Sequence, residues 1–196
     1  RSKASDFNSA LQTLIKREIN AHWRIVFNGN GYDASWVTEA EKRGLLNLRT
    51  LPDAMEHYMA AKNVKLYTDL GVYTEEEMQS HYEIKLEKYC QVLNIEVETM
   101  LEMINKDILP AAFKYMQAVS KTAIDLKAVV PSAKASAQVA LLTKLDGLVN
   151  ELSEKETVLS KKHIAAKAAG DAMQISKAYV ESVIPAMVEA RAVADE

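Results

Sequence analysis

At 196 residues, 48% hydrophobic and 26% charged, the chain can bury a proper core and has the balance of a globular domain. A net charge of −3 gives no electrostatic reason to expect a nucleic-acid partner, and no apolar run nears the roughly 20 residues that cross a bilayer. The start, RSKASDFNS, lacks an apolar signal core, and a single cysteine, Cys90, leaves no internal disulfide and fits a reducing cytoplasm. Because the chain opens on Arg1 rather than Met, it reads as a piece of something longer.

The first element is an amphipathic helix: Phe7, Leu11, Leu14, Ile15, Ile19 and His22 recur at three- and four-residue spacing, with Ser5 or Asp6 as cap. Arg24 to Phe27 is the one credible strand, and a lone strand cannot satisfy its own backbone. The corner Asn28-Gly29-Asn30-Gly31 follows. Such a corner can present backbone N–H groups to a phosphate, but it has no nearby lysine and leads into Asp33, Glu39 and Glu41. The plainer reading is a tight turn using positive φ, which glycine and asparagine adopt cheaply.

Asp33 or Ser35 opens a short helix that Gly44 stops, and Thr50-Leu51-Pro52-Asp53 opens the next. A further short helix spans Asn63 to Leu70 and ends at Gly71. Thr74 and Glu77 form a capping box, which launches a long helix carrying Met78, Tyr82, Leu86, Leu93, Val97 and Ile104. Pro110 should kink or break it. After Pro131, Leu141, Leu145, Leu148, Leu152 and Leu159 fall on a heptad-like seam with Lys155 as its polar member. Gly170-Asp171 then begins a last helix whose Val180, Val183, Ile184 and Met187 offer a facing stripe, with a kink expected at Pro185. The expected fold is all-α: a multi-helical bundle with long, proline-interrupted helices, a C-terminal hairpin and at most one short strand. Residues 1–130 and 131–196 form its two sections.

No catalytic, cofactor-binding or metal-ligating set emerges. There is no Walker lysine, paired-histidine zinc motif, CxxC or Gly-x-Ser-x-Gly elbow. His22, His57, His81 and His163 are scattered and read as surface or interface residues, with same-face pairs available to His57 through Asp53 and to His81 through Glu77. Cys90 reads as a small buried hydrophobe, and Met100 and Met103 as core filler. The Glu75-Glu76-Glu77 run suits a helix N-terminus without a metal.

Taken together, RIVFNGNGYDASWVTEAEKRGLLNLRTLPDA, KNVKLY, GVYTEEEMQSHYEIKLEKYCQVLNIE and DILPAAFKY resemble the C-terminal part of type III glutamine synthetase. The likeness covers most of Phe7 to Tyr115 and weakens in the alanine-rich hairpin. It implies a parent enzyme that makes glutamine from glutamate, ammonia and ATP with Mg or Mn ions, in a ring-based homo-oligomer. It also implies that the catalytic groups lie upstream of this chain, so no catalytic residue is carried over. The chain would be a non-catalytic segment, cut at both ends, that contacts the missing catalytic region and homo-oligomer neighbours. Arg24 to Phe27 would pack against that region, the corner Asn28, Gly29, Asn30 and Gly31 would turn the chain from it into the C-terminal helices, and the leucine seam would serve interaction. The rival reading is a stand-alone helical scaffold or coiled-coil module.

Overall fold

The computed structural model describes residues 6–196, so the Ser5 alternative for the first cap lies outside them. Among these residues there are helices and turns but no strand. The chain divides into two compact units between Arg49 and Thr50.

In the first unit, α1 (Phe7–Ala21) is capped by Asp6, whose carboxylate accepts from the Asn8 N–H at 3.0 Å. The expected strand is instead a 3-10 turn, Trp23–Ile25. Local bonds explain the difference: Ile25 N–H donates to His22 O at 3.1 Å and Val26 N–H to Trp23 O at 3.0 Å, so the segment needs no partner strand. α2 (Ala34–Lys42) begins at Asp33 and ends in a Schellman motif. Gly44, at φ +71°, donates to Glu41 O at 2.9 Å, while Leu45 donates to Ala40 O at 2.9 Å.

The second unit starts with α3 (Leu51–Tyr58) and α4 (Ala61–Asp69), both packed on the long helix that follows. That helix is α5 (Glu75–Met103), continued through a π-turn (Ile104–Ile108) into α6 (Leu109–Val129). The capping box is formed in both directions: Glu77 N–H donates to Thr74 Oγ1 at 3.1 Å, and Thr74 N–H to the Glu77 carboxylate at 2.8 Å. α7 (Ser136–Lys167) runs back, and α8 (Ala172–Ala178) passes through a second π-turn (Tyr179–Val183) into α9 (Ile184–Ala194).

Neither proline breaks its helix. Pro110 and Pro185 each stand just after a π-turn. Proline has no N–H to donate and its ring crowds the carbonyl four residues back. A π-turn shifts the hydrogen bonding to five residues just ahead of each ring: Leu109 N–H donates to Ile104 O, and Ile184 N–H to Tyr179 O.

The core lies where α5, α7 and the α8–α9 segment run side by side. Leu93 and Val97 from α5 meet Leu159 and Ala166 from α7, together with Tyr179, Val183 and Ala186. A smaller cluster joins Ile104, Leu152 and Ala190. On the last helices the buried line is therefore Ser176, Tyr179, Val183, Ala186 and Ala190, in alternating steps of three and four. Of the stripe expected there, only Val183 is fully buried, while Val180, Ile184 and Met187 are half-buried. The alanines displace it because their short side chains let α9 lie close on α7.

Replacing Thr74 by alanine should lower stability by about 0.5–2 kcal/mol, because α5 loses its cap. Urea unfolding of the two proteins measures this, and an unchanged midpoint would contradict the role given to the capping box.

Candidate functional site

The glycine corner is held by an aromatic stack. Phe27 lies on Trp36 with ring centroids 4.2 Å apart and planes 25° from parallel, and the Arg43 guanidinium sits 5.6 Å from the Trp36 ring centre. Arg43 Nη1 donates to Val26 O at 2.8 Å, and its Nε donates to the Glu39 carboxylate at 2.7 Å. One arginine thus ties the 3-10 turn to α2. Its spacing to Glu39 and Trp36, four and seven residues back, was the signal in the sequence.

Positive φ is not what the corner glycines supply: neither Gly29 nor Gly31 adopts it, in contrast to the expectation from sequence. At Gly29 the reason is close approach. A Cβ there would stand 2.5 Å from Phe27 Cζ, so a side chain would push the ring off Trp36. Asn30 forms an Asx turn, accepting from Tyr32 N–H at 3.1 Å, while Asn28 is exposed. The Asp33 carboxylate already occupies the α2 N-terminus. The Arg43 guanidinium and the helix cap are both engaged within the chain.

The leucine seam runs from solvent into the core. Leu141 is exposed, Leu145 and Leu148 are half-buried, and Leu152 and Leu159 are buried. Lys155 reaches across to Glu189 on α9 at 2.9 Å. That hydrogen bond, and the opposite charge behind it, raise the lysine's pKa and lower the glutamate's. Further along the same face comes His163, only 5% exposed. Its Nδ1 is 3.3 Å from Tyr179 Oη. Its Nε2 is buried without a hydrogen-bond partner, 3.8 Å from the Glu98 carboxylate, and Lys167 stands 3.4 Å from that same carboxylate. Burial pushes the imidazole pKa down and Lys167 reinforces this, while Glu98 opposes it.

His163 is therefore a core residue. The other histidines sit outside the core, but the pairs expected for two of them do not form. Asp53 instead accepts from Thr50 Oγ1 at 2.6 Å, and Glu77 is held in its capping box. His81 packs edge-on against Tyr73, with centroids 4.9 Å apart. His22 approaches Glu18 at 3.6 Å.

Between α5 and α8 lies a hollow of about 470 Å³, bounded by Cys90, Asn94, Ile95, Lys167, Ile175 and Tyr179. Its walls are mostly hydrocarbon. Burial raises the Cys90 thiol pKa, so the thiol stays protonated and unreactive near neutral pH, and it contacts the Ala172 carbonyl at 3.4 Å. Among the described residues no three His, Cys, Asp or Glu side chains gather as a metal site, and no helix is long and apolar enough to cross a membrane.

Because the folded state favours neutral His163, its contribution to stability is complete above the ordinary pKa of 6.5 and is lost as pH falls from there towards the lowered value. Thermal melts should show the chain losing stability as pH falls below about 6.5, and His163→Gln losing less over the same range. Equal losses would contradict the buried-imidazole assignment.

A family model described as the glutamine synthetase C-terminal domain matches residues 10–127. The chain is 34% identical over 191 residues to the glutamine synthetase of Butyrivibrio fibrisolvens, covering 97% of the chain and 27% of that protein. It is 28% identical over 197 residues to the type-3 glutamine synthetase of Dictyostelium discoideum, covering 98% and 27%. A glutamine synthetase of Bacteroides fragilis (strain YCH46) is 31% identical over 108 residues, or 55% of the chain and 15% of that protein. The chain thus spans about a quarter of the length of the first two relatives.

Proposed function

We propose, since the chain belongs to the glutamine synthetase C-terminal domain family, that it is the helical C-terminal region of an ATP-dependent glutamine synthetase. The parent would join glutamate and ammonia in the cytoplasm. In this reading the segment supports folding of the catalytic region and assembly of a homo-oligomer, and carries no catalytic group. ATP and Mg or Mn ions, in this reading, belong to the rest of the protein.

One observation carries this reading. None of the described residues of the first unit is buried. The apolar stripe of α1 (Phe7, Leu11, Leu14, Ile15 and Ile19) lies open, from 39% to 73% exposed. A helix with such a stripe gains its stability by laying it on something else. The remainder of a protein about four times longer, judged by the relatives, is the natural cover. The scaffold alternative has weaker support, because Leu152 and Leu159 are buried by their own chain.

Introducing Leu11→Asp and Leu14→Asp together into the full-length protein tests this. Two unpaired charges in a buried contact should cost several kcal/mol, lowering both the melting temperature and the rate of ATP-dependent glutamine formation. The same changes in the 196-residue chain should leave the melting of the second unit unaltered. Full-length protein with unchanged activity and melting would contradict the proposal.

A further inference from the structure

The hollow between α5 and α8 plays no part in the role proposed above, and it is built wholly within the second unit. Cys90 and Ile95 of α5, Ile175 of α8 and Tyr179 at the start of the second π-turn supply its hydrocarbon. Tyr179 is 1% exposed and belongs to the main core cluster, so the fold fixes that wall. Wide turns of this kind are frequent at functional sites, and this one sets Tyr179 against the hollow. At about 470 Å³ the space lies within the range of small-molecule sites, about 300–1,000 Å³.

Its polar groups decide what fits. Among the described residues only two buried side-chain atoms lack a hydrogen-bond partner, Asn94 Oδ1 and His163 Nε2, and Asn94 lines the hollow. A buried carbonyl oxygen without a donor is costly. The last torsion of an asparagine is soft, so a small turn of the amide offers that oxygen to a donor in the hollow. At the rim Lys167 already meets the Glu98 carboxylate, 3.4 Å away, so the pair neutralises itself and selects no charge. The other polar lining group, the Gln91 amide, is uncharged as well.

We propose that this hollow binds an uncharged small molecule with a hydrocarbon ring body and a single N–H or O–H. The body lies against Ile95, Ile175 and the Tyr179 ring, and the donor reaches Asn94 Oδ1. A tryptophan or tyrosine side chain from elsewhere in a longer protein would offer the same chemistry. The site is assigned to a free molecule because its walls are complete within this unit. It is independent of the role in assembly.

Indole and benzofuran test it, two bicyclic rings of nearly the same shape of which only indole can donate. Titrated into the isotope-labelled 196-residue chain and followed by NMR, indole should bind saturably with a dissociation constant below about 1 mM. The largest amide shifts should fall at Gln91 to Ile95 and Ile175 to Tyr179. Benzofuran should bind about fivefold more weakly or worse, although it is the more hydrophobic ring. Asn94→Leu removes the acceptor and should bring the two affinities together. Ile95→Trp, at a position 62% exposed, fills the hollow from its outer side and should weaken both ligands about tenfold or more. Should Asn94→Leu fail to fold, the wild-type ratio and Ile95→Trp still decide. Indole should also raise the melting temperature of the full-length protein, as it does that of the chain. A rise in the chain alone would mean that a side chain of the longer protein fills the hollow, and would overturn the proposal. Equal wild-type affinity for the two rings, or shifts centred elsewhere, would overturn it too.

Discussion

The second unit depends on how closely α7 can approach the α8–α9 segment. Ala186 and Ala190 are almost wholly buried, and they let Leu152, Leu159 and Val183 interlock with Val97 and Ile104 of α5. A longer side chain at either alanine would force helices apart in a region packed like an organic crystal, typically at about 1–3 kcal/mol. The long helices are individually only weakly amphipathic, so this shared interior sets their register.

The two π-turns serve the same contact. Each inserts one wide turn ahead of a proline, which keeps the helix running and rotates the faces before and after it. Ile104 begins one such turn, while Tyr179 and Val183 bound the other, and all three are buried. The wide turns therefore lie at the core rather than at the surface. Tyr179 also brings its hydroxyl to His163, so the one buried imidazole is partnered on one side and left unpaired on the other.

Much of this could be read from residues because the signals were local. Thr74 with Glu77, Gly44, Gly71 and Asp171 mark helix ends through chemistry confined to four or five residues. The long-range features were less legible. A proline interrupts a helix by its own geometry, and only the packed fold shows that a π-turn absorbs it. Ala186 and Ala190 carried no hydrophobic signal, so the stripe sought in their helix was displaced towards larger residues. Gly29 resembled a turn residue, yet its requirement comes from the Phe27 ring two residues earlier, stacked on Trp36. His163 looked like its three companions until folding placed Tyr179 and Glu98 around it. The family likeness rested on an ordered run of motifs, and the match over residues 10–127 bears it out.

The central claim is that stability is concentrated where three helices overlap and falls where α9 ends. Native-state hydrogen exchange on the chain reads this residue by residue. The account predicts the slowest exchange at Leu93 to Ile104, Leu152 to Ala166 and Tyr179 to Ala190, with markedly faster exchange from Phe113 to Val129 and from Val139 to Leu148. Equal protection along the whole of α5, α6 and α7 would contradict it.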